Sequence, residues 1–101
     1  MRVLVFYDLP TLTNQNKKDY RYFNKFLRKK GFIQIQESVY SKLALNQTAS
    51  NYIMESVELN KPPEGSVIML VITEKQFSKM TYLVGEKQSG YLDSDERNII
   101  L

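Results

Sequence analysis

Met1-Arg-Val-Leu-Val-Phe-Tyr-Asp-Leu-Pro10 is the segment from which the architecture follows. Val3 to Tyr7 form an unbroken apolar and aromatic run, rich in the β-branched and aromatic types that suit a pleated strand. A run this short, apolar on both faces, reads as a central strand covered on both sides. Proline cannot continue a central ladder, so the strand must stop before Pro10. Asp8 is thereby held at the tip of a rigid strand. It is either the first residue of the turn, the commoner role of aspartate in such a place, or a carboxylate presented for function.

Beyond Pro10, Thr11 to Asn14 form a polar connection in which Thr13 or Asn14 is a candidate helix N-cap. From about Asn16 to Lys30 the pattern is helical. At about 100° per residue, Lys17, Lys18, Arg21, Lys25, Arg28 and Lys29 share an arc of roughly 120°. Tyr20, Phe23, Phe26 and Leu27 occupy the other side. Gly31 is a natural stop. The apolar side is core packing. The cationic side is either a solvated surface or a surface for phosphates. No acidic residue lies within the arc, and an unbalanced basic stripe is the electrostatic footprint of a nucleic-acid binder.

Phe32 to Leu45 reads as extended, with Ile33, Ile35, Val39, Leu43 and Leu45 in one phase of a period-two pattern. Gln36-Glu37-Ser38 interrupts it, giving either one strand bent by a bulge or two short strands joined by a tight turn. Asn46 caps a helix expected over Thr48 to Leu59, with Ala49, Tyr52, Ile53 and Val57 on its apolar stripe. The Pro-Pro-Glu-Gly65 loop ends it. Val67 to Ile72 is a second wholly apolar run, expected as a second central strand. Thr73-Glu-Lys-Gln76 matches a capping box ahead of Phe77 and Met80. Thr81 to Val84 is expected as a short strand, 85–97 as a loop, and Ile99-Ile100-Leu101 as a final edge strand. The order predicts one α+β domain over 1–101: a ferredoxin-like βαββαβ sandwich with an extra C-terminal edge strand.

Composition narrows the chemistry. With 101 residues, 43% hydrophobic and 25% charged, the chain is an ordinary single globular domain. It has neither cysteine nor histidine, which excludes the usual zinc sites, cysteine nucleophiles and histidine triads. The simplest remaining route to hydrolysis is a carboxylate-bound metal that activates water. The lack of any disulfide framework fits a reducing compartment. No apolar stretch is long enough to span a bilayer, and the first residues lack a signal peptide's pattern, so a cytoplasmic protein is expected. The net charge of +3 is too mild to identify a nucleic-acid partner by itself.

Four features, in order along the whole chain, resemble the CRISPR-associated "Cas-two" family, the small core subunit of the CRISPR adaptation machinery. They are Tyr7-Asp8-Leu9-Pro10, the basic helix closing on Lys30-Gly31-Phe32, Gln36-Glu37-Ser38-Val39-Tyr40, and Thr73-Glu-Lys-Gln-Phe77 with Tyr82-Leu83 and Gly85-Glu86-Lys87. The last, with Ser94-Asp95-Glu96-Arg97, looks like the branch found beside a Cas-nine effector (type II, subtype A). The resemblance implies a homodimer whose sheets pack across a two-fold axis. Residues 98–101, with Ile99, Ile100 and Leu101, would join the partner's sheet. Two copies would bridge two dimers of the Cas-one integrase and hold the middle of a double-stranded DNA fragment destined for a CRISPR array.

The resemblance also aligns Asp8 with an aspartate linked to magnesium-dependent (Mg2+) nuclease activity, making it a metal ligand and a candidate catalytic residue. Tyr7, Ser38 and Tyr40 could line the same region, although hairpin bonding and core packing account for them as well. A metal-dependent endonuclease acting alone on RNA or DNA is the competing function. A small-ligand sensor on the same topology is a third. An RNA-recognition module is disfavoured, because the apolar strands lack its glycine-aromatic pattern. The phosphate-facing role of Lys17, Lys18, Arg21, Lys25, Arg28 and Lys29 comes from the arc and not from the resemblance.

Overall fold

β1 (Arg2–Asp8) runs through a four-stranded antiparallel sheet in a computed structural model that describes residues 1–86. It is followed by α1 (Asn14–Lys29), β2 (Ile33–Gln36), β3 (Val39–Leu43), α2 (Gln47–Leu59), β4 (Ser66–Ile72) and the short α3 (Glu74–Ser78). The strand order is β2-β3-β1-β4. β3 thus separates β1 from β2, and β1 separates β3 from β4, which is the split βαβ arrangement of a ferredoxin-like fold. The Gln36–Ser38 interruption is resolved as two short strands joined by a turn, and their register shifts between Gln34 and Gln36.

The caps stand where short polar side chains can satisfy free amides. Thr13 accepts from the Asn16 amide at 3.0 Å, while Asn16 accepts from the Thr13 amide, closing a capping box. Asn46 accepts from the Ala49 amide at 2.8 Å, and Thr73 with Gln76 forms a second capping box. Gly31, at φ +92°, ends α1 in a conformation that disfavours a Cβ.

Strand alternation divides the molecule into two sides. Val3, Val5 and Tyr7 of β1 pack with Phe23, Phe26 and Leu27 of α1 and Ile53 and Val57 of α2. Leu4 and Phe6 face the opposite side, where among the described residues Phe77 of α3 and Met80 just beyond it give partial cover. Arg2 donates Nε to both carboxylate oxygens of Glu74, at 3.1 and 2.9 Å. Its guanidinium lies 4.5 Å from the Phe77 ring centre, so α3 is tied to the start of β1.

Three expectations are corrected. Among the described residues β4 is an edge strand, not a second central one, and Ile68 and Leu70 are 60% and 50% exposed. Its apolar run has a second face that nothing among the described residues covers. Thr81 to Val84 forms no strand, because no strand among the described residues pairs with it, and Leu83 and Val84 are 90% and 93% exposed. Tyr52 leaves the α2 stripe and stands 70% exposed, since Ala49, Ile53 and Val57 already fill the contact with the sheet. The expected terminal strand, Ile99 to Leu101, lies outside the described residues.

Candidate nucleic-acid interface and strand-tip carboxylate

α1 turns its cationic stripe away from the sheet. Lys17, Lys18, Arg21, Lys25, Arg28 and Lys29 are all exposed. Among the described residues none of them pairs with a carboxylate. Arg28 differs from the rest, since its Nη1 donates to the Tyr40 hydroxyl at 3.1 Å. That bond ties one end of the stripe to the buried centre of β3. At the other end, Asn16 is buried and donates Nδ2 to Glu64 at 2.7 Å, fixing the start of α1 to the loop before β4. The stripe is therefore carried on a helix anchored at both ends.

The tyrosines expected near Asp8 belong to the helical side. The Tyr7 hydroxyl donates to Asn24 Oδ1. Its ring meets Phe23 edge-on at 5.2 Å and stacks near Tyr40 at 6.0 Å. Burial pushes the Tyr7 hydroxyl far above its ordinary ionisation range; the neighbouring Tyr40 and Tyr20 add to this, and Arg28 opposes it. Tyr7 thus stays protonated and serves packing, not acid–base chemistry. The Ser38 carbonyl accepts from the Tyr7 amide at 3.0 Å, which extends the pairing of β1 with β3 and is not a bond within the β2–β3 hairpin.

Asp8 follows Leu4 and Phe6 in alternation and so belongs to the open side of the sheet. It is exposed and pairs in register with Ser66. The strand tip is braced by a residue that sequence reasoning passed over. Gly65, at φ +96°, lies so close to β1 that a Cβ there would sit 2.8 Å from the Asp8 carbonyl oxygen. The glycine was legible as a loop residue, but its approach to Asp8 is a long-range contact with no local signal. Among the described residues no group of three acidic, histidine or cysteine side chains could hold a metal. Magnesium takes one or two carboxylates and keeps several waters, so Asp8 by itself is at the lower limit of such a site.

The open side carries the other prominent feature. Ile68, Leu70 and Leu43 are exposed there, and beside them a cavity of about 470 Å3 is lined by Leu4, Phe6, Ile35, Val39 and Met80. Contiguous exposed apolar surface on a sheet face is the mark of an interaction site.

Residues 1–80 match the family described as CRISPR associated protein Cas2. The chain is 52% identical over 101 residues to a protein of Treponema denticola named CRISPR-associated endoribonuclease Cas2, with all of both chains covered. Proteins of the same name from Streptococcus mutans and Ligilactobacillus salivarius are 44% and 40% identical over 101 residues. The whole of this chain is covered in both, with 93% of the former and 100% of the latter. No helix among the described residues is long and apolar enough to cross a membrane.

Proposed function

Because the chain belongs to the CRISPR-associated Cas2 family, we propose that two copies pair through their open sheet faces and together hold double-stranded DNA during spacer acquisition. The observation that carries this is the division of the molecule into two sides. The uncompensated cations of α1 stand on one side of the sheet and the uncovered apolar residues Ile68 and Leu70 on the other. Pairing through the apolar sides would leave both cationic helices facing outward, a symmetric track for duplex phosphates. Such contacts position a duplex without reading its sequence, as a sampler of fragments requires. In the complete assembly the pair would bridge two Cas-one integrase dimers in the cytoplasm.

The same pairing supports a second reading. Asp8 lies on the open side, so a two-fold axis could bring two Asp8 carboxylates together and offer magnesium both. A bound magnesium ion would supply an activated water for phosphodiester hydrolysis. Nuclease action also fits the endoribonuclease name that the relatives carry. The two readings separate in one experiment: purified protein is incubated with RNA or duplex DNA, with and without magnesium, beside Asp8→Asn. Cleavage lost in Asp8→Asn, with spacer acquisition lost in step, identifies the nuclease as the working activity. Acquisition that survives Asp8→Asn identifies the DNA-holding role.

A further inference from the structure

We propose that the cavity between the C-terminal end of α1 and α2 binds a phosphate monoester carried on a nucleoside, either the end of a nucleic-acid strand or a free nucleotide. The cavity measures about 220 Å3 and is lined by Lys30, Phe32, Lys42, Tyr52, Ile53 and Ser56. At about 30 Å3 per water it has room for roughly seven, the scale of a phosphate with part of a sugar.

Its polar equipment is unspent. Among the described residues the ammonium groups of Lys30 and Lys42, the Tyr52 phenol and the Ser56 hydroxyl make no hydrogen bond and no ion pair. Lys42 is half-buried, and its ammonium occupies the place a side chain at Gly31 would take, 2.8 Å from a Cβ built there. It does not cap α1. The last-turn carbonyls of Phe26, Leu27 and Arg28 already accept from the amides of Lys30, Phe32 and Gly31. Two ammonium groups on one cavity without a carboxylate repel each other, and an anion relieves that repulsion. A phosphate monoester carries about two negative charges near neutral pH, matching the pair. The floor is apolar, formed by buried Phe32 and Ile53, and the exposed Tyr52 ring at the rim is a platform for a base. The site lies on the helical side of the sheet, away from Asp8, and stands whether or not α1 holds a duplex.

The test is amide NMR on the full chain, titrated with deoxyadenosine 5′-monophosphate, with deoxyadenosine, and with a short single strand bearing either a 5′-phosphate or a 5′-hydroxyl. Gly31 and Ile53 should shift with the phosphorylated probes and not with their unphosphorylated counterparts. A response to the strand but not the nucleotide identifies a strand end as the source, and the reverse identifies a free nucleotide. Lys42→Gln should weaken the response at least tenfold. Lys30→Gln, an exposed change that spares the fold, should weaken it severalfold. Duplex binding through α1 should survive in both variants. No shift with either phosphorylated probe, or equal shifts with and without the phosphate, overturns the proposal. So does full binding by both variants.

Discussion

The cationic face of α1 can be tested by removing three charges without disturbing the helix. Lys17, Arg21 and Lys25 recur at intervals of four, are exposed, and have no carboxylate partner among the described residues. Arg28 is left alone, because it also holds the Tyr40 hydroxyl. At a rise of about 1.5 Å per residue the three span about 12 Å. Duplex DNA presents one negative charge per about 1.7 Å of axis, roughly seven over that length, so three contacts are sterically reasonable. Glutamine matches lysine and arginine in helix propensity, so the triple change to glutamine should alter stability by less than about 0.5 kcal/mol. Each phosphate contact contributes about 0.9 to the slope of log affinity against log salt. The triple variant should therefore lose about 2.7 from that slope per copy, and about 5 for a pair. Extrapolated from 1 M to about 0.15 M salt, three contacts in one copy correspond to roughly a hundredfold in affinity. Fluorescence anisotropy with a labelled duplex between 50 and 200 mM salt reads both quantities. A slope within about 1 of the parent's would refute the assignment of this face to phosphates.

Three further outcomes follow from the packing. Tyr7 ionises far above its ordinary value of 10.0 when folded. The unfolded chain releases this proton first, so the stability that burial of the neutral hydroxyl contributes is intact below about pH 10 and falls above it. The loss should approach 1.4 kcal/mol per pH unit, and thermal melts from pH 9 to 11 should show a shallower decline in Tyr7→Phe. Ser41 is fully buried on β3 and its hydroxyl has no partner among the described residues. Ser41→Ala should be neutral or stabilise by about 1 kcal/mol in urea unfolding, and a loss above that would mean the hydroxyl is bonded. Gly65→Ala, at φ +96° and against the Asp8 carbonyl, should cost about 1–3 kcal/mol; an unchanged urea midpoint would contradict that close approach.

What was legible in the sequence was what local chemistry decides. Val3–Tyr7 specified the central strand because an apolar run bounded by Asp8 and Pro10 has few other solutions. Thr13, Asn46, Thr73 and Gly31 marked helix boundaries through bonds to residues no more than a few positions away. The misreadings share one cause. Val67–Ile72 shows that both faces of β4 are apolar, but not whether one chain covers both. Tyr82-Leu83-Val84 has strand propensity, but a strand also needs a ladder. Likewise the bonds Arg28–Tyr40 and Asn16–Glu64, and the meeting of Lys42 with Gly31, join segments that only the finished topology brings together.

Holding a duplex in the proposed way requires two copies to meet through their open sheet faces with both first helices turned outward. Sedimentation of the full chain, alone and with a duplex, tests this most directly. The expected result is a species of about twice 11.9 kDa that binds one duplex, and its conversion to single chains by Ile68→Glu, with duplex affinity falling in step. A parent protein that sediments as a single chain while binding duplex at full strength would contradict it.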